Sequence, residues 1–336
     1  MTESPFSIKP VDASCANMVP EVFRSIYGDN FPVEYVYHGN QILEEIESGR
    51  LNSAIALNTK GIPVGYVAIY INSPNCRLWE GGNLLVVPGC GDGDLARALF
   101  RHFLRPENMP ESASAGMFVE AVCHHYFTQV GCSKSGFVDC ALMLDQTDRE
   151  DFKEHAPETE RGACLLQFYE QSDPISECYL PDHYFDLLQG LLKNLRPRRV
   201  RSGSAPLPVE GDTARSDRYF AGAGMCRVSV SSIGSDWGTF LDELLVQARL
   251  RQVTSLQLVL STALPYISAA VEEMRQRRFF LGGIFPRWFG ADGIMMQQVL
   301  DKRPDYEGIK LYTAGARELL ASIREDWKSV QEENKK

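Results

Sequence analysis

The chain has 336 residues, of which 44% are hydrophobic and 23% are charged, and its formal net charge is −10. This length accommodates two compact cores, and the acidic charge argues against broad nucleic-acid binding. The N-terminal MTESPFSIKP has no basic stretch followed by an apolar run, and no apolar segment reaches the roughly 18 residues of a membrane span. We therefore predict neither a signal peptide nor a membrane protein.

Nine cysteines are scattered along the chain without any C-x-x-C pair. An odd count without zinc spacing or a secretion signal predicts reduced thiols and a cytoplasmic protein. The densest group is Cys123-His124-His125, with Cys132 beyond it. Because structural zinc needs four well-spaced ligands, we predict buried thiols near a strand end and no metal site.

The first half of the sequence alternates strand and helix patterns. A short strand, FSIKPV, precedes a helix with Met18, Val22 and Ile26 at helical spacing, and the next helix, QILEEIESG, ends at a glycine. Two strands joined by a tight turn follow. The segment LLVVPGCGDGDLARALF, residues 84–100, then has the pattern of a strand, a glycine-rich turn and a helix. The strands MFVEAV and VDCALML flank a further short helix.

The second half repeats this order in outline, which indicates a tandem arrangement. Residues 146–161 are charged and lack an apolar period, so they predict a linker. The segment TAGARELLASIREDWKSV predicts an amphipathic C-terminal helix. The predicted organisation is a first domain over 1–145, a linker over 146–161, a second domain over 162–310, and a helix and tail over 311–336.

Several segments resemble the GNAT (GCN5-related) N-acetyltransferase superfamily. Leu85-Val86-Val87-Pro88 is similar to its fourth strand, which pairs with pantetheine. Val119-Glu120-Ala121-Val122, followed by Thr128-Gln129 and Gly136-Phe137, is similar to its fifth strand, fourth helix and sixth strand. The resemblance covers most of 6–145 and, more weakly, 162–300. It implies an α/β (α+β) fold of two tandem GNAT-like acyl-CoA N-acyltransferase domains, each a mixed, mostly antiparallel sheet flanked by helices.

The glycine-rich turn is the predicted cofactor site. In the family, backbone N–H groups and a helix N-terminus bind the pyrophosphate of acetyl-CoA. This sequence departs from the family pattern, because Gly91 stands where Arg or Gln is usual and Asp94 occupies a glycine or alanine position. Acidic residues also stabilise a helix start by roughly 0.5–2 kcal/mol, so a capped helix without cofactor is an open alternative. The residues that the resemblance assigns to acetyl-CoA, or another acyl-CoA, are Leu85, Val86, Val87, Gly91, Asp92, Gly93, Asp94, Leu95 and Ala96.

A second interpretation of the same turn is an S-adenosylmethionine site. Gly-Cys-Gly-Asp-Gly is similar to the loop of class I methyltransferases, and Glu120 is a candidate for the ribose hydroxyls. However, Val87 occupies the position of the usual acid, and Glu120 lies beyond the spacing of about 20 residues expected of a glycine-loop dinucleotide site. Several strands also precede the loop, whereas a methyltransferase core begins at it.

Acyl transfer to an amine needs a base for the amine and a proton donor for the departing thiolate. Glu80 is the candidate general base, and a surface carboxylate is its alternative interpretation. The family's tyrosine acid corresponds to Cys132, which is either a proton donor or inert packing. His125 and Tyr126 lie nearby as substitutes, and Glu120 either faces the cleft or caps the next helix.

The sequence predicts an acyl-CoA-dependent N-acyltransferase that acetylates the amine of a small molecule or a peptide. A catalytically inactive GNAT-like binding or regulatory protein is the alternative, because the loop and the missing tyrosine depart from the family. No nucleic-acid or membrane partner is expected. The apolar stripe of the C-terminal helix leaves two states open, docking on its own chain or a homodimer.

Overall fold

The computed structural model describes residues 5–31, 33–90, 93–148, 161–171 and 175–333. The chain packs as two compact units, Met1–Phe118 and Val119–Lys336. No helix among these residues is long and apolar enough to cross a membrane.

Unit 1 is an antiparallel sheet with helices packed on it. Its strands pair in the order β1-β2-β3-β4, each antiparallel to its neighbour. The elements are β1 (Phe6–Pro10), α1 (Val19–Tyr27), α2 (Gly39–Glu47), β2 (Leu51–Asn58), β3 (Pro63–Tyr70), β4 (Leu78–Val86) and α3 (Asp94–Phe103). A core cluster with Val22, Phe23, Ile42, Ile55 and Tyr66 at its centre lies between α1, α2 and the sheet. The predicted helix with Val22 and Ile26 on one face is thus confirmed as α1.

Helix α3 packs on the sheet of unit 1 through a stripe of apolar residues one turn apart. Leu95, Leu99 and Phe103 are buried. The stripe packs against glycines of the sheet. A Cβ on Gly65 would lie 2.8 Å from Leu99 Cδ1, and one on Gly81 would overlap the Phe103 ring. Small residues on β3 and β4 therefore determine how closely α3 approaches the sheet.

Unit 2 contains a larger mixed sheet in the order β5-β7-β6-β13-β14-β12-β11-β10 and a separate parallel pair, β8-β9. Strand β5 (Gly116–Val122) begins in unit 1 and enters unit 2 at Val119. The other elements are α4 (Phe127–Lys134), β6 (Val138–Asp148), β7 (Arg161–Glu170), β8 (Glu177–Leu180), α5 (Phe185–Leu192), β9 (Arg199–Ser202), β10 (Ala214–Phe220), β11 (Met225–Ser232), α6 (Trp237–Leu250), β12 (Ser255–Ser261), α7 (Ile267–Gln276), β13 (Phe280–Phe285), β14 (Gly293–Val299) and α8 (Ala314–Glu333).

The predicted fold class, a mixed and mostly antiparallel sheet flanked by helices, is confirmed. Within unit 2 the spatial order of strands β5-β7-β6 has a counterpart in β12-β14-β13, in which the third strand in sequence again lies between the other two. The succession strand, helix, strand, helix, strand, strand also occurs twice along the chain, from β4 to β7 and from β11 to β14. Both observations are consistent with the tandem arrangement.

The division of the chain into compact units is a separate observation from the predicted domains over 1–145 and 162–310, which stay a prediction. The compact units meet between Phe118 and Val119. Strand β7, expected to open the second domain, pairs antiparallel with β6, Val138 lying opposite Phe168. β7 thereby supplies partners for backbone N–H and C=O groups along one edge of β6. Residues 149–160 connect the two strands in sequence. Those residues, most of the predicted linker, lie outside the described residues.

The C-terminal helix α8 docks on its own chain. Leu319, Ile323 and Val330 are buried in a core cluster of unit 2 that includes Leu142 and Phe280. Arg275 of α7 forms a buried ion pair with Asp326 of α8. The apolar stripe therefore completes the core of unit 2.

Candidate active site

Strand β4 carries a β-bulge in front of the glycine-rich turn. Tyr66 lies opposite Leu85 and Ala68 lies opposite Gly82, so two residues of β4 face one residue of β3. Within the bulge, Asn83 adopts a positive φ of 52°. A bulge interrupts the ladder and redirects the strand, and bulges are over-represented beside active sites. The feature separates the part of β4 that holds Glu80 from the part that leads into the turn.

Glu80 lies just before the bulge and is held by two neutral donors. It is 7% exposed. The hydroxyl of Tyr70 donates to Oε1 across 2.9 Å, and the amide of Asn72 donates to Oε2. Tyr70 also lies directly opposite Glu80 in the β3–β4 register. Both neighbours are neutral donors, and together they hold the two oxygens of the carboxylate in one orientation.

The turn after β4 leads into the N-terminus of α3. Gly91 and Asp92 lie outside the described residues. On either side of them, Gly89 and Gly93 have φ values of 78° and 90°, which side-chain-bearing residues rarely adopt. Leu95 is buried in the packing of α3, and the predicted cofactor residues Leu85, Val86, Val87 and Ala96 are buried or half-buried. Glycine therefore meets a real backbone requirement on both sides of the turn.

Asp94 does not present a lone negative charge at this turn. Its carboxylate pairs with the guanidinium of Arg97, one turn along α3. The same guanidinium lies near the turn, since a Cβ on Gly93 would be 3.8 Å from Arg97 Nη1. Arg97 is not among the site residues predicted from the sequence, although the i, i+3 spacing of Asp94 and Arg97 is a recognisable pairing signal.

Glu120 on β5 is engaged in a buried ion pair. Arg227 Nη1 donates to Glu120 Oε1 across 2.7 Å, and Gln146 donates to the other oxygen. Arg227 also donates to Gln257 Oε1 at 2.8 Å. Glu120 thus neither caps the next helix nor stands alone as a base, and nothing in the sequence links it to Arg227, 107 positions away.

Cys132 is a fully buried thiol on α4. Its exposure is 0%, and burial raises the pKa of the thiol well above its usual range. The group therefore stays protonated, but it is shielded from solvent. Of the two nearby candidates, Tyr126 is 45% exposed at the start of α4, and His125 is half-buried against the edge of the His124 ring.

Gln129, to which the sequence pattern assigned no role, anchors the start of α4. Its buried amide donates to the carbonyl oxygens of Val122, His125 and Lys310 and accepts from the N–H of Tyr312. The hydrogen bonds of this one side chain therefore hold in place the turn that carries His125 and Tyr126.

The predicted catalytic residues divide between the two units. The structure brings Glu80 together with Tyr70 and Asn72 in unit 1, and it brings Glu120 together with Arg227 and Gln146 in unit 2. Four antiparallel strands, β1 to β4, precede the glycine-rich turn. The turn therefore does not follow the first strand of a core, as the methyltransferase interpretation requires.

No protein-family model and no curated protein matches this chain. Among solved structures, it is similar to the ribosomal-protein-S5-alanine acetyltransferase of Vibrio fischeri, at 11% identity and a TM-score of 0.39 over 52% of this chain and 97% of that one. Arabidopsis thaliana NAA60, solved with a bisubstrate analogue, matches at 14% identity and a TM-score of 0.36, over 50% and 99% of the two chains. The ribosomal-protein-S18-alanine N-acetyltransferase of Escherichia coli matches at 12% identity and a TM-score of 0.38, over 50% and 96%.

Proposed function

We propose that this chain is an acyl-CoA-dependent N-acyltransferase whose cofactor binds along β4 and at the N-terminus of α3. The observation that carries the proposal is the bulge at Asn83, which follows a buried carboxylate and precedes a glycine-rich turn into a helix. This order places a base, an interrupted ladder and an anion-binding helix end along one short stretch of chain.

The residues present fit the anionic part of such a cofactor. Helix N-termini attract phosphate groups through their free N–H groups and the helix dipole. Arg97 adds a guanidinium beside the turn and pairs with Asp94, so the acid does not act there alone. Gly93, with its positive φ, leaves the backbone open to close approach. Arg97 therefore compensates for the arginine or glutamine that is missing at Gly91.

When bound, acyl-CoA would supply the activated thioester. Glu80 would accept the proton of the amine, directly or through water, while Tyr70 and Asn72 hold the carboxylate in one orientation. The proton donor for the departing thiolate stays a prediction from the sequence; of its candidates, Tyr126 is exposed and Cys132 is shielded from solvent. Acetyl is the acyl group that we propose first, and the acceptor is a small-molecule or peptide amine.

A second candidate function is an acyl-CoA-binding protein without catalysis. It is favoured by the buried thiol of Cys132 at the position of the family's acid and by the two hydrogen bonds that occupy both oxygens of Glu80. Such a protein would bind the cofactor without turning it over.

Calorimetry with acetyl-CoA tests binding, and transfer of radiolabelled acetyl to a polyamine, a peptide amine and an amino acid tests turnover. A label is preferable to a thiol reagent because Cys76 and Cys90 are exposed. Arg97→Ala should weaken acetyl-CoA binding, whereas Arg101→Ala, one turn further along α3, should not. Binding without transfer to any acceptor would favour the second candidate, and no binding at all would refute both.

A further inference from the structure

Unit 2 contains a cavity of about 560 Å³ that the proposed acyl transfer does not use. It lies where α6 and α7 end, beside the end of β14 and one face of α8, and we call it the basic groove. Phe280, Val299 and Leu300 contribute buried apolar surface, and Trp327 adds an aromatic ring.

Five cationic side chains line the groove, against one carboxylate. Two of the five are paired with acids outside the groove. Arg277 Nε lies 2.7 Å from Asp242 Oδ1, and Lys302 Nζ lies 2.6 Å from Asp145 Oδ1. Their charges are therefore largely satisfied by the protein itself.

A third cation, Arg249, lies 3.8 Å from Asp301, the one carboxylate of the groove. Arg278 and Arg303 remain, and neither guanidinium has a carboxylate or hydrogen-bond partner within the part of the chain that the structure describes. Two exposed guanidinium groups thus line one concave surface, and neither is paired with a carboxylate of the described residues.

The backbone conformation of Arg278 is unusual for an arginine at the end of a helix. Arg278 has a φ of 69°, in the left-handed region that glycine favours. It follows α7, where the N–H of Phe279 donates to the carbonyl oxygen of Met274 across 3.0 Å, as in a helix-terminating motif in which glycine is usual. An arginine at this position costs stability, and its side chain lines the groove.

The groove also contains a buried polar group. Gln298 on β14 lines it and is 8% exposed, and its Oε1 has no hydrogen-bond partner among the described residues. Unsatisfied polar atoms are rare in buried positions, and each one needs an explanation. A ligand with hydrogen-bond donors would satisfy this amide.

We propose that the basic groove binds a nucleoside phosphate, with its phosphates on Arg278 and Arg303 and its base against Trp327. Arginine fits phosphate because its planar fork donates two parallel hydrogen bonds, and an aromatic ring offers a face for a flat base. The cavity volume lies within the range of small-molecule sites, roughly 300–1,000 Å³. The net charge of −10 and the neighbouring Asp242 and Asp301 disfavour an extended polyanion.

The test is calorimetry with ADP, inorganic pyrophosphate and adenosine on the full chain and on Arg278→Gly/Arg303→Ala. The expected result is micromolar ADP binding that the double variant weakens by about tenfold or more. Arg196→Ala/Arg218→Ala is the matched control, since it removes the same charge from exposed arginines elsewhere in unit 2. Arg278→Gly alone should raise the melting temperature while weakening ADP binding, because glycine relieves the positive φ.

Two outcomes would overturn the proposal. One is the absence of ADP binding at about 1 mM, a concentration at which even a weak site is occupied. The other is ADP binding that Arg97→Ala weakens and the groove variant does not, which would place the nucleotide on unit 1. Acetyl-CoA binding that survives the groove variant would leave the proposed acyl transfer intact, so the two proposals fail separately.

Discussion

Glu120 and Arg227 form a buried ion pair in unit 2, in which Nη1 of the arginine donates to Oε1 of the carboxylate across 2.7 Å. The guanidinium also lies 5.2 Å from the centre of the Phe285 ring and 5.6 Å from that of Trp288. The pair links β5 to β11, so Glu120, which the sequence predicts as a catalytic or ribose-binding group, has a structural role in unit 2.

Breaking this pair should strongly destabilise unit 2. Arg227→Met leaves a buried carboxylate without its counter-charge, so we expect a loss of about 3–5 kcal/mol in the free energy of unfolding. Glu120→Gln/Arg227→Met should cost less than the sum of the two single variants, because neither charge is then left alone. Urea denaturation of the four proteins in this cycle measures the coupling. The exposed pair Arg215–Asp217 is the control, and strict additivity at Glu120 and Arg227 would contradict the expectation.

Glu80 should matter for turnover more than for cofactor binding. Glu80→Gln keeps the shape and can still accept from Tyr70, but it cannot take a proton from the amine. We expect kcat to fall by about 10²-fold or more while acetyl-CoA affinity stays unchanged. Tyr70→Phe, which removes one hydrogen bond and keeps the carboxylate, should have a smaller effect. Equal rates for wild type and Glu80→Gln would show that this carboxylate is not the base.

The buried thiol of Cys178 should make stability fall at high pH. Burial, aided by the Asp292 carboxylate, raises the pKa of Cys178 from 9.0 to about 12. The folded thiol therefore stays protonated while the unfolded thiol ionises, so its contribution is intact below pH 9 and is lost as the pH rises from 9 toward 12. The maximum slope for one thiol is about 1.4 kcal/mol per pH unit. Cys178→Ala should reduce the pH dependence of the urea midpoint above pH 9, and Cys76→Ala, at an exposed thiol, should leave it unchanged.

Gly283 should tolerate no side chain where β13 meets β6. It lies opposite Ala141 with a φ of 134°, and a Cβ there would be 2.4 Å from the carbonyl oxygen of Cys140. Gly283→Ala should therefore cost at least about 2 kcal/mol in the free energy of unfolding. Gly190→Ala on α5 is the matched control, since a Cβ there meets nothing within 4 Å. That substitution should stabilise by about 0.5–1 kcal/mol, and thermal melts of both variants compare them directly.

The local elements of unit 1 follow from sequence alone. The apolar segment within NSAIALN, followed by a tight turn, predicts β2. The spacing of Val22 and Ile26 predicts α1, and Gly49 ends α2 at a φ of 72°. Periodicity and turn chemistry act over a few residues, so they are legible without knowledge of the rest of the chain.

Part of the candidate site was also within reach of the sequence. Glu80 was identified from its place ahead of Leu85–Pro88, and the structure puts it within β4. The Tyr70 that holds it lies only ten positions away on the adjoining strand. A correct prediction of the β3–β4 pairing register would have placed Tyr70 opposite Glu80. The bulge at Asn83 was not predictable in this way, because an asparagine with positive φ leaves no periodic signal.

Sequence by itself determined the fold class, the glycine-rich turn and the carboxylate before it, because these depend on patterns within single segments. Only the tertiary structure decided that β7 joins β6, that Glu120 faces Arg227, and that Arg278 and Arg303 line one groove. Each of these depends on which distant segments pack together. The free energy that selects such contacts comes from burial and charge compensation across the whole unit, and no short window of sequence contains it.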